Sequence, residues 1–77
     1  GKVYSWGYNG YGNLGTGNTT NYSTPVYSNI DNVIDVVAGY YYTAALKKDG
    51  TVWMTGYNAD GELGVGDTEN KLNFVQV

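Results

Sequence analysis

The chain has 77 residues, of which 42% are hydrophobic and only 14% charged, with twelve glycines, nine tyrosines and one proline. It contains no cysteine or histidine, which excludes disulfides and Cys/His metal sites. The net charge of −3 leaves no basic footprint for nucleic acid, and no apolar run approaches the ~20 residues of a membrane span. We therefore expect neither nucleic-acid binding nor membrane insertion.

Short runs rich in aromatic and β-branched residues predict strands throughout the chain and no helix. In chain order, the predicted strands are 3–6, 25–27, 33–38, 42–46, 52–55 and 74–77. Glycine closes several of these runs, and the pair Asp49-Gly50 between the fourth and fifth runs is a strong signal for a hairpin turn. The composition and the spacing of the runs thus favour short antiparallel strands joined by tight turns.

The sequence repeats itself at a spacing of 49 residues. When Gly1 is placed on Gly50, 12 of the 28 paired positions are identical, and the shared core reads Gly-x-Val, Gly-Tyr-Asn and Gly-x-Leu-Gly-x-Gly. Periods of this length are typical of arrays in which each unit buries its apolar face against a neighbour. Since 77 residues hold one period and 28 residues of another, we expect the chain to be a piece of a longer protein.

The strands divide unequally between the two copies. Residues 29–77 hold one complete repeat with four strands, whereas residues 1–28 hold only the counterparts of its third and fourth strands, the second half of one blade. Four short antiparallel strands in about 40–50 residues are typical of a propeller blade. The sequence therefore predicts an all-β fold, a partial β-propeller of about one and a half four-stranded antiparallel blades.

Two motifs resemble ligand sites but lack the context that such sites require. The segment 10–15 fits the dinucleotide pattern Gly-x-Gly-x-x-Gly, yet residues 16–20 cannot sustain the helix that must follow. Asp60, Glu62 and Asp67 could suggest calcium, but the first copy has no acid at the corresponding positions. We expect no metal and no cofactor. Without histidine, cysteine or suitably spaced carboxylate pairs, we also expect no catalytic residue.

Tyrosine and asparagine are concentrated at one end of the predicted blades. Because antiparallel strands reverse direction at each step, the turn after the first strand and the loop after the third meet at the same end. Tyrosines on loops of a rigid scaffold suit protein recognition, since they bring contact area at low entropic cost. That end collects Asn9, Asn58 and five candidate partner-binding residues, Tyr8, Tyr11, Tyr40, Tyr41 and Tyr57.

The candidate tyrosines also have alternative interpretations. Tyr8 and Tyr57 are identical in the two copies. In the alternative interpretation, they pack between blades and do not contact a partner. One of Tyr40 and Tyr41 could bury its ring and expose only its hydroxyl.

The order of the motifs resembles the repeat named after the regulator of chromosome condensation. The matching stretches are Val-Val-Ala-Gly at 36–39, an aromatic pair, Lys-Lys-Asp-Gly-Thr-Val at 47–52, Gly-Tyr-Asn and Gly-x-Leu-Gly-x-Gly. The resemblance spans essentially the whole chain and implies a β-propeller, usually of seven blades. Thr55 stands where the first copy keeps the family's Trp6, and Tyr42 where eukaryotic members commonly carry histidine. With its Asn- and Tyr-rich loops, the chain is more similar to bacterial members.

Known roles in that family include nucleotide exchange on a small GTPase, chromatin binding, and inhibition of β-lactamase by a secreted bacterial propeller. The resemblance implies a non-enzymatic module that binds another protein through its loop aromatics, within a bacterial surface or secreted protein. Two alternatives stay open. The chain could be a structural scaffold repeat without its own ligand, or a carbohydrate-binding module.

The blade assignment leads to two structural expectations. Leu14 and Leu63, inside the shared Gly-x-Leu-Gly, should be among the most buried residues. The predicted strand 3–6 should present an unpaired edge, and the flat faces of both units lack neighbours, so we expect copies of the chain to self-associate, by pairing half-blade with half-blade or by stacking blade on blade.

Overall fold

The computed structural model describes all residues, 1–77, and contains six strands and no helix. The strands are β1 (Tyr4–Gly7), β2 (Tyr22–Tyr27), β3 (Val33–Ala38), β4 (Tyr42–Lys47), β5 (Val52–Gly56) and β6 (Lys71–Gln76). The predicted all-β class is confirmed. No helix has the length and apolarity required to cross a membrane.

The six strands form two antiparallel sheets. β1 pairs with β2, while β3, β4, β5 and β6 form a four-stranded meander in chain order. The β5–β6 pair repeats the β1–β2 pair, since Gly56 faces Lys71 as Gly7 faces Tyr22, and the register shifts next to the glycine in both pairs. Residues 33–76 therefore form one four-stranded blade, and residues 4–27 repeat the pairing of its last two strands, β5 and β6.

The fourth strand of each unit begins earlier than the sequence predicts. The apolar pattern placed these strands at 25–27 and 74–77, but β2 begins at Tyr22 and β6 at Lys71. Polar residues such as Ser23 and Asn73 extend the strands because the ladder continues to the glycine that ends the partner strand. Main-chain pairing, which needs no apolar side chain, sets these boundaries.

The hydrophobic core lies between the two units. It is formed by buried residues of the four-stranded blade and of the segment after β2, packed against half-buried Val3 and Trp53. The buried residues of this core are Ile30, Val33, Ala45 and Phe74. Leu14 and Leu63 are 6% and 2% exposed, so the expected burial of both leucines is confirmed.

The loop between β1 and β2 lies directly on the four-stranded blade, with glycine at the points of closest approach. A Cβ on Gly12 would lie 2.5 Å from Leu72 Cδ2, and one on Gly15 would lie 2.6 Å from the Phe74 ring. Both glycines also have positive φ, 76° and 73°, which side chains rarely adopt. Only glycine therefore allows this close contact between the units.

Hydrogen bonds fix the same contact. The Thr55 hydroxyl lies 2.8 Å from the Gly12 carbonyl oxygen, and the Thr43 hydroxyl donates to the Asn13 carbonyl oxygen at 2.8 Å. The backbone N–H of Gly17 donates to the Leu72 carbonyl, also at 2.8 Å. These bonds set the position of the first unit's loop against the second unit, and thereby bring the tyrosines of both units together.

Candidate functional site

A buried asparagine organises the loop between the third and fourth strands of each unit. Asn58 is 0% exposed. Its Oδ1 accepts a hydrogen bond from the Leu63 N–H at 3.0 Å, and its Nδ2 donates to the carbonyl oxygens of Asp67 and Glu69 at 2.9 Å each. An amide that satisfies buried backbone groups in this way substitutes for a regular backbone ladder.

Asn9 makes the corresponding bonds in the first unit. It is 0% exposed, and its Oδ1 accepts from the Leu14 N–H at 2.9 Å. Its Nδ2 donates to the carbonyl oxygens of Asn18 and Thr20 at 2.9 and 3.0 Å. The sequence predicts Asn9 and Asn58 at the same end as the candidate tyrosines, but neither is accessible to a partner. Both are interior residues that hold the loop in shape.

A second asparagine in each loop completes the network. Asn21 Oδ1 accepts from the backbone N–H of Asn9 at 2.7 Å, and Asn70 does the same for Asn58 at 2.9 Å. Asparagine at these four positions is shared by the two copies, and that shared pattern was the signal that could have revealed the network. The residue before each buried asparagine is a candidate tyrosine, so the network holds those tyrosines on an ordered backbone.

The five candidate tyrosines form one continuous group of rings, hereafter the tyrosine cluster: Tyr8, Tyr11, Tyr40, Tyr41 and Tyr57. The ring centre of Tyr41 lies between 4.8 and 6.2 Å from those of the other four. Tyr11, from the other unit, lies 4.8 Å from both Tyr41 and Tyr57, with interplanar angles of 69°. Such edge-on contacts are the arrangement that ring quadrupoles favour.

The main chain ties the cluster to the blade. The Tyr57 N–H donates to the Tyr41 carbonyl oxygen at 2.8 Å, which joins the β3–β4 turn to the β5–β6 loop. Gly56 permits this approach, because a Cβ there would lie 2.3 Å from the same carbonyl oxygen. The two loops thus meet at one end of the blade, as the antiparallel order predicts.

The members of the cluster differ in exposure. Tyr40 is 94% exposed, Tyr8 52% and Tyr41 46%, while Tyr11 and Tyr57 are half-buried. Tyr57 packs against Tyr11 of the other unit, so it contributes to the contact between units as well as to the cluster. No cavity is lined by Tyr11, Tyr41 or Tyr57. The cluster is therefore an open aromatic surface and not an enclosed pocket.

Carboxylates border the cluster. The pKa of the Tyr57 hydroxyl is raised, first by its partial burial and then by the negative charges of Asp60 and Glu62. Glu62 Oε1 accepts a hydrogen bond from the Asp60 N–H at 3.0 Å, and neither side chain has a basic partner within ion-pair distance. The edge of the cluster next to Tyr57 is thus acidic.

Asp67, which the sequence grouped with these acids, is committed to structure. Its carboxylate binds the Lys71 ammonium at 2.8 Å and accepts a hydrogen bond from Asn58 Nδ2 at 3.0 Å. The bond from Lys71 and the one from the Glu69 N–H lower its pKa. No group of three or more His, Cys, Asp or Glu side chains is placed to hold a metal ion.

The largest cavity lies beside β1. Of the five tyrosines of the cluster, only Tyr8 lines it. It is an open groove of about 360 Å³ between β1 and the face of β3 that carries Val36 and Ala38. Asn13 borders it, and its Oδ1 is buried without a hydrogen-bond partner. The edge of β1 that faces away from β2 has no strand partner. The groove is therefore an unfilled space next to a free strand edge.

A four-stranded antiparallel meander, a second unit in the same register and loops that dock one unit on the next define a propeller-type repeat protein. A family model described as the regulator of chromosome condensation (RCC1) repeat matches residues 1–46, more than half of the chain. A second model of the same repeat matches residues 33–62. The chain belongs to this family, which confirms the resemblance noted in the sequence.

Proposed function

We propose that this chain is a non-enzymatic propeller-repeat module that binds another protein through the tyrosine cluster. The observation that supports this most is the continuity of the cluster. Five tyrosines from three separate loops lie in ring-to-ring contact at one end of the fold. Tyrosine is enriched at the energetic centres of protein interfaces, and this surface combines it with an ordered backbone.

The distribution of exposure agrees with recognition. Tyr40 is 94% exposed and is not part of the hydrophobic core. Tyr41 is 46% exposed, although its ring contacts every other ring of the cluster. A large exposed aromatic side chain loses hydration on binding and gains contact area. Tyr11 and Tyr57, beneath the exposed rings, would support them against displacement.

The two alternatives remain alternatives. A scaffold repeat without its own ligand has no need of an exposed aromatic surface, whereas a carbohydrate-binding module could stack sugar rings on it. Placement of the protein in bacteria, secreted or on the cell surface, stays a prediction of the family resemblance.

The test is a selection of binders from a random peptide library on the immobilised 77-residue chain. We expect Tyr41→Ala, or Tyr40→Ala with Tyr41→Ala, to weaken most selected peptides by more than about 30-fold, equivalent to about 2 kcal/mol. Tyr4→Ala is the matched control, since Tyr4 is 57% exposed but lies on β1 outside the cluster. Circular dichroism establishes that each variant keeps its strands.

Two results would contradict the proposal. Peptides that bind the Tyr41→Ala variant as tightly as the original chain would place recognition elsewhere. Binding to a glycan array that depends on the same tyrosines, without any selected peptide, would favour the carbohydrate-binding alternative.

A further inference from the structure

The net charge of the chain is confined to one loop. Residues 57–71 contain four carboxylates and one lysine, a charge of −3, which equals the net charge of the whole chain. The remaining charged residues balance one another and are Lys2, Asp31, Asp35, Lys47, Lys48 and Asp49. The corresponding loop of the first unit, 8–22, contains no charged residue. The acidic charge is thus a property of the loop that carries Tyr57.

Within that loop, the charge nearest the cluster is the part left uncompensated. Lys71 pairs with Asp67 at 2.8 Å and has no contact with Asp60 or Glu62 within ion-pair distance. Asp60 and Glu62 are exposed and close enough to Tyr57 to affect its hydroxyl. Asp60 and Glu62 follow Tyr57 by three and five residues in the same loop, so the acidic part of the loop meets the aromatic surface at Tyr57.

Two lysines of the chain make cation–π contacts with aromatic rings outside the cluster. The Lys2 ammonium lies 5.1 Å from the centre of the Tyr27 ring, and the Lys47 ammonium lies 4.3 Å from that of Trp53. No lysine of the chain lies over a ring of the tyrosine cluster. The exposed rings of the cluster, Tyr40, Tyr8 and Tyr41, therefore carry no cation from within the chain.

We infer that the partner presents a basic, extended segment, rich in arginine, to the tyrosine cluster. This deepens the proposed function and rests on it. Guanidinium planes stack on the rings of Tyr40, Tyr41 and Tyr8, and their positive charge faces Asp60 and Glu62. Arginine fits better than lysine because its planar group stacks on aromatic faces and is less strongly hydrated. An extended segment fits better than a small ligand because the central rings of the cluster, Tyr11, Tyr41 and Tyr57, line no cavity.

The charge arrangement also selects against other partners. An acidic segment would meet uncompensated carboxylates on the Tyr57 side, and like charges brought together across an interface are unfavourable. A neutral segment would gain the aromatic contact without the electrostatic attraction. Basic partners alone use both features of the surface.

The test uses fluorescein-labelled peptides of about eight residues in which glycine alternates with arginine, lysine or serine, titrated with the 77-residue chain and followed by anisotropy. We expect the arginine peptide to bind more tightly than the lysine peptide, and the serine peptide not to bind. Asp60→Asn with Glu62→Gln should weaken the arginine peptide by roughly fivefold or more at low salt, and less at high salt. Asp35→Asn, which removes an exposed acid on β3, is the control and should leave binding unchanged.

Variants at Tyr41 separate ring stacking from simple charge attraction. Tyr41→Phe keeps the ring and should bind the arginine peptide within about twofold of the original chain, whereas Tyr41→Ala should bind several-fold more weakly. Equal binding by all three proteins would overturn the inference, because the peptide would then respond to charge alone.

The library selection keeps this inference distinct from the proposed function. Selected peptides that depend on Tyr41 but are neutral or acidic, and bind the Asp60→Asn, Glu62→Gln variant unchanged, would refute the basic partner while leaving protein recognition intact. Selected peptides enriched in arginine, and weakened by the same variant, would support both.

Discussion

Asn9 and Asn58 lie 49 positions apart and make the same hydrogen bonds. Each accepts a bond from the amide of a leucine five residues on and donates to carbonyl oxygens nine and eleven residues on. The repeat is therefore preserved at the level of individual atoms, even where the residues that supply the carbonyls differ. One buried amide per unit gives these loops a defined shape without regular secondary structure.

We expect Asn58→Ala to destabilise the chain by about 2–4 kcal/mol, because it leaves the buried Leu63 N–H and two partly buried carbonyl oxygens without partners. Urea unfolding followed by circular dichroism measures the change. Asn73→Ala is the control, since Asn73 is an exposed asparagine of β6 that makes no side-chain hydrogen bond in the structure. Equal midpoints for the two variants would show that the buried amide does not stabilise the loop.

The docking of one unit on the next can be tested at two glycines. Gly12→Ala and Gly66→Ala both place a Cβ at positive φ, 76° and 90°, but only the first meets neighbouring atoms. We expect Gly66→Ala to cost about 1–2 kcal/mol from backbone strain, and Gly12→Ala about 1–3 kcal/mol more from overpacking against Leu72. Urea midpoints give both values. A Gly12→Ala variant no less stable than Gly66→Ala would mean that the units do not dock as described.

The ion pair between Asp67 and Lys71 should make the melting temperature of the chain depend on acidic pH. A carboxyl whose pKa is lowered in the folded state adds stability that is complete above its unfolded pKa, roughly 3.9, and is lost as the pH falls through the folded value. We expect the melting temperature to fall more for the original chain than for Asp67→Asn between about pH 5 and pH 2. Asn18 fills the corresponding place in the first unit without charge, so the substitution is compatible with the loop.

Asp31 and Asp49 also have lowered pKa values, the first through Tyr27 and Lys2 and the second through Thr51. Both are present in the two proteins, so their effect on the melting temperature cancels in the comparison. If the melting temperatures of the original chain and of Asp67→Asn change equally with pH, Asp67 makes no contribution.

We propose that copies of the chain associate through the free edge of β1. The edge has no strand partner, Trp6 beside it is 61% exposed, and the adjoining groove is bordered by Asn13, whose buried Oδ1 is unpaired. We expect sedimentation at micromolar concentration to give a mass above the 8.3 kDa of one chain. Trp6→Lys should reduce the mass to that of a monomer, because charge at an edge strand opposes pairing.

Val37→Lys is the control for this association. Val37 is 62% exposed on β3, away from β1, so the change alters surface hydrophobicity without touching the β1 edge. A compact monomer of the original chain with an ordered β1–β2 pair would refute the proposal. Loss of association in both variants would show that the interface is not confined to the β1 edge and would also refute the proposal.

The sequence predicts the strands of this fold well and the loops poorly, for a physical reason. Strand signals are local, so β3 begins and ends where the run of Val33, Ile34, Val36 and Val37 predicts. The starts of β2 and β6 were missed because they depend on main-chain pairing with a partner strand. The burial of Asn58 was missed because its hydrogen bonds join residues up to eleven positions apart, and no local pattern distinguishes an interior asparagine from an exposed one.

The candidate site was predicted in part. Antiparallel order alone brought Tyr41 and Tyr57 to one end, and the ring contacts between them confirm that placement. The central position of Tyr11 could not be predicted, because it depends on how closely the first unit's loop approaches the second. That approach is set by Gly12 and by the Thr55 hydroxyl, two features that only the packed units reveal.

The burial of Asn9 has a consequence for the chemical ageing of the protein. Asn9 is followed by Gly10, the pairing in which an asparagine side chain most readily loses ammonia through a cyclic imide. Ring closure requires the side-chain carbonyl to turn onto the backbone nitrogen of Gly10, but the Leu14 N–H and the carbonyls of Asn18 and Thr20 hold that amide in place. A carboxylate formed there would face two carbonyl oxygens with no proton to share. Folding therefore preserves the covalent integrity of Asn9, and a chain that stays unfolded becomes steadily less able to rebuild the first loop.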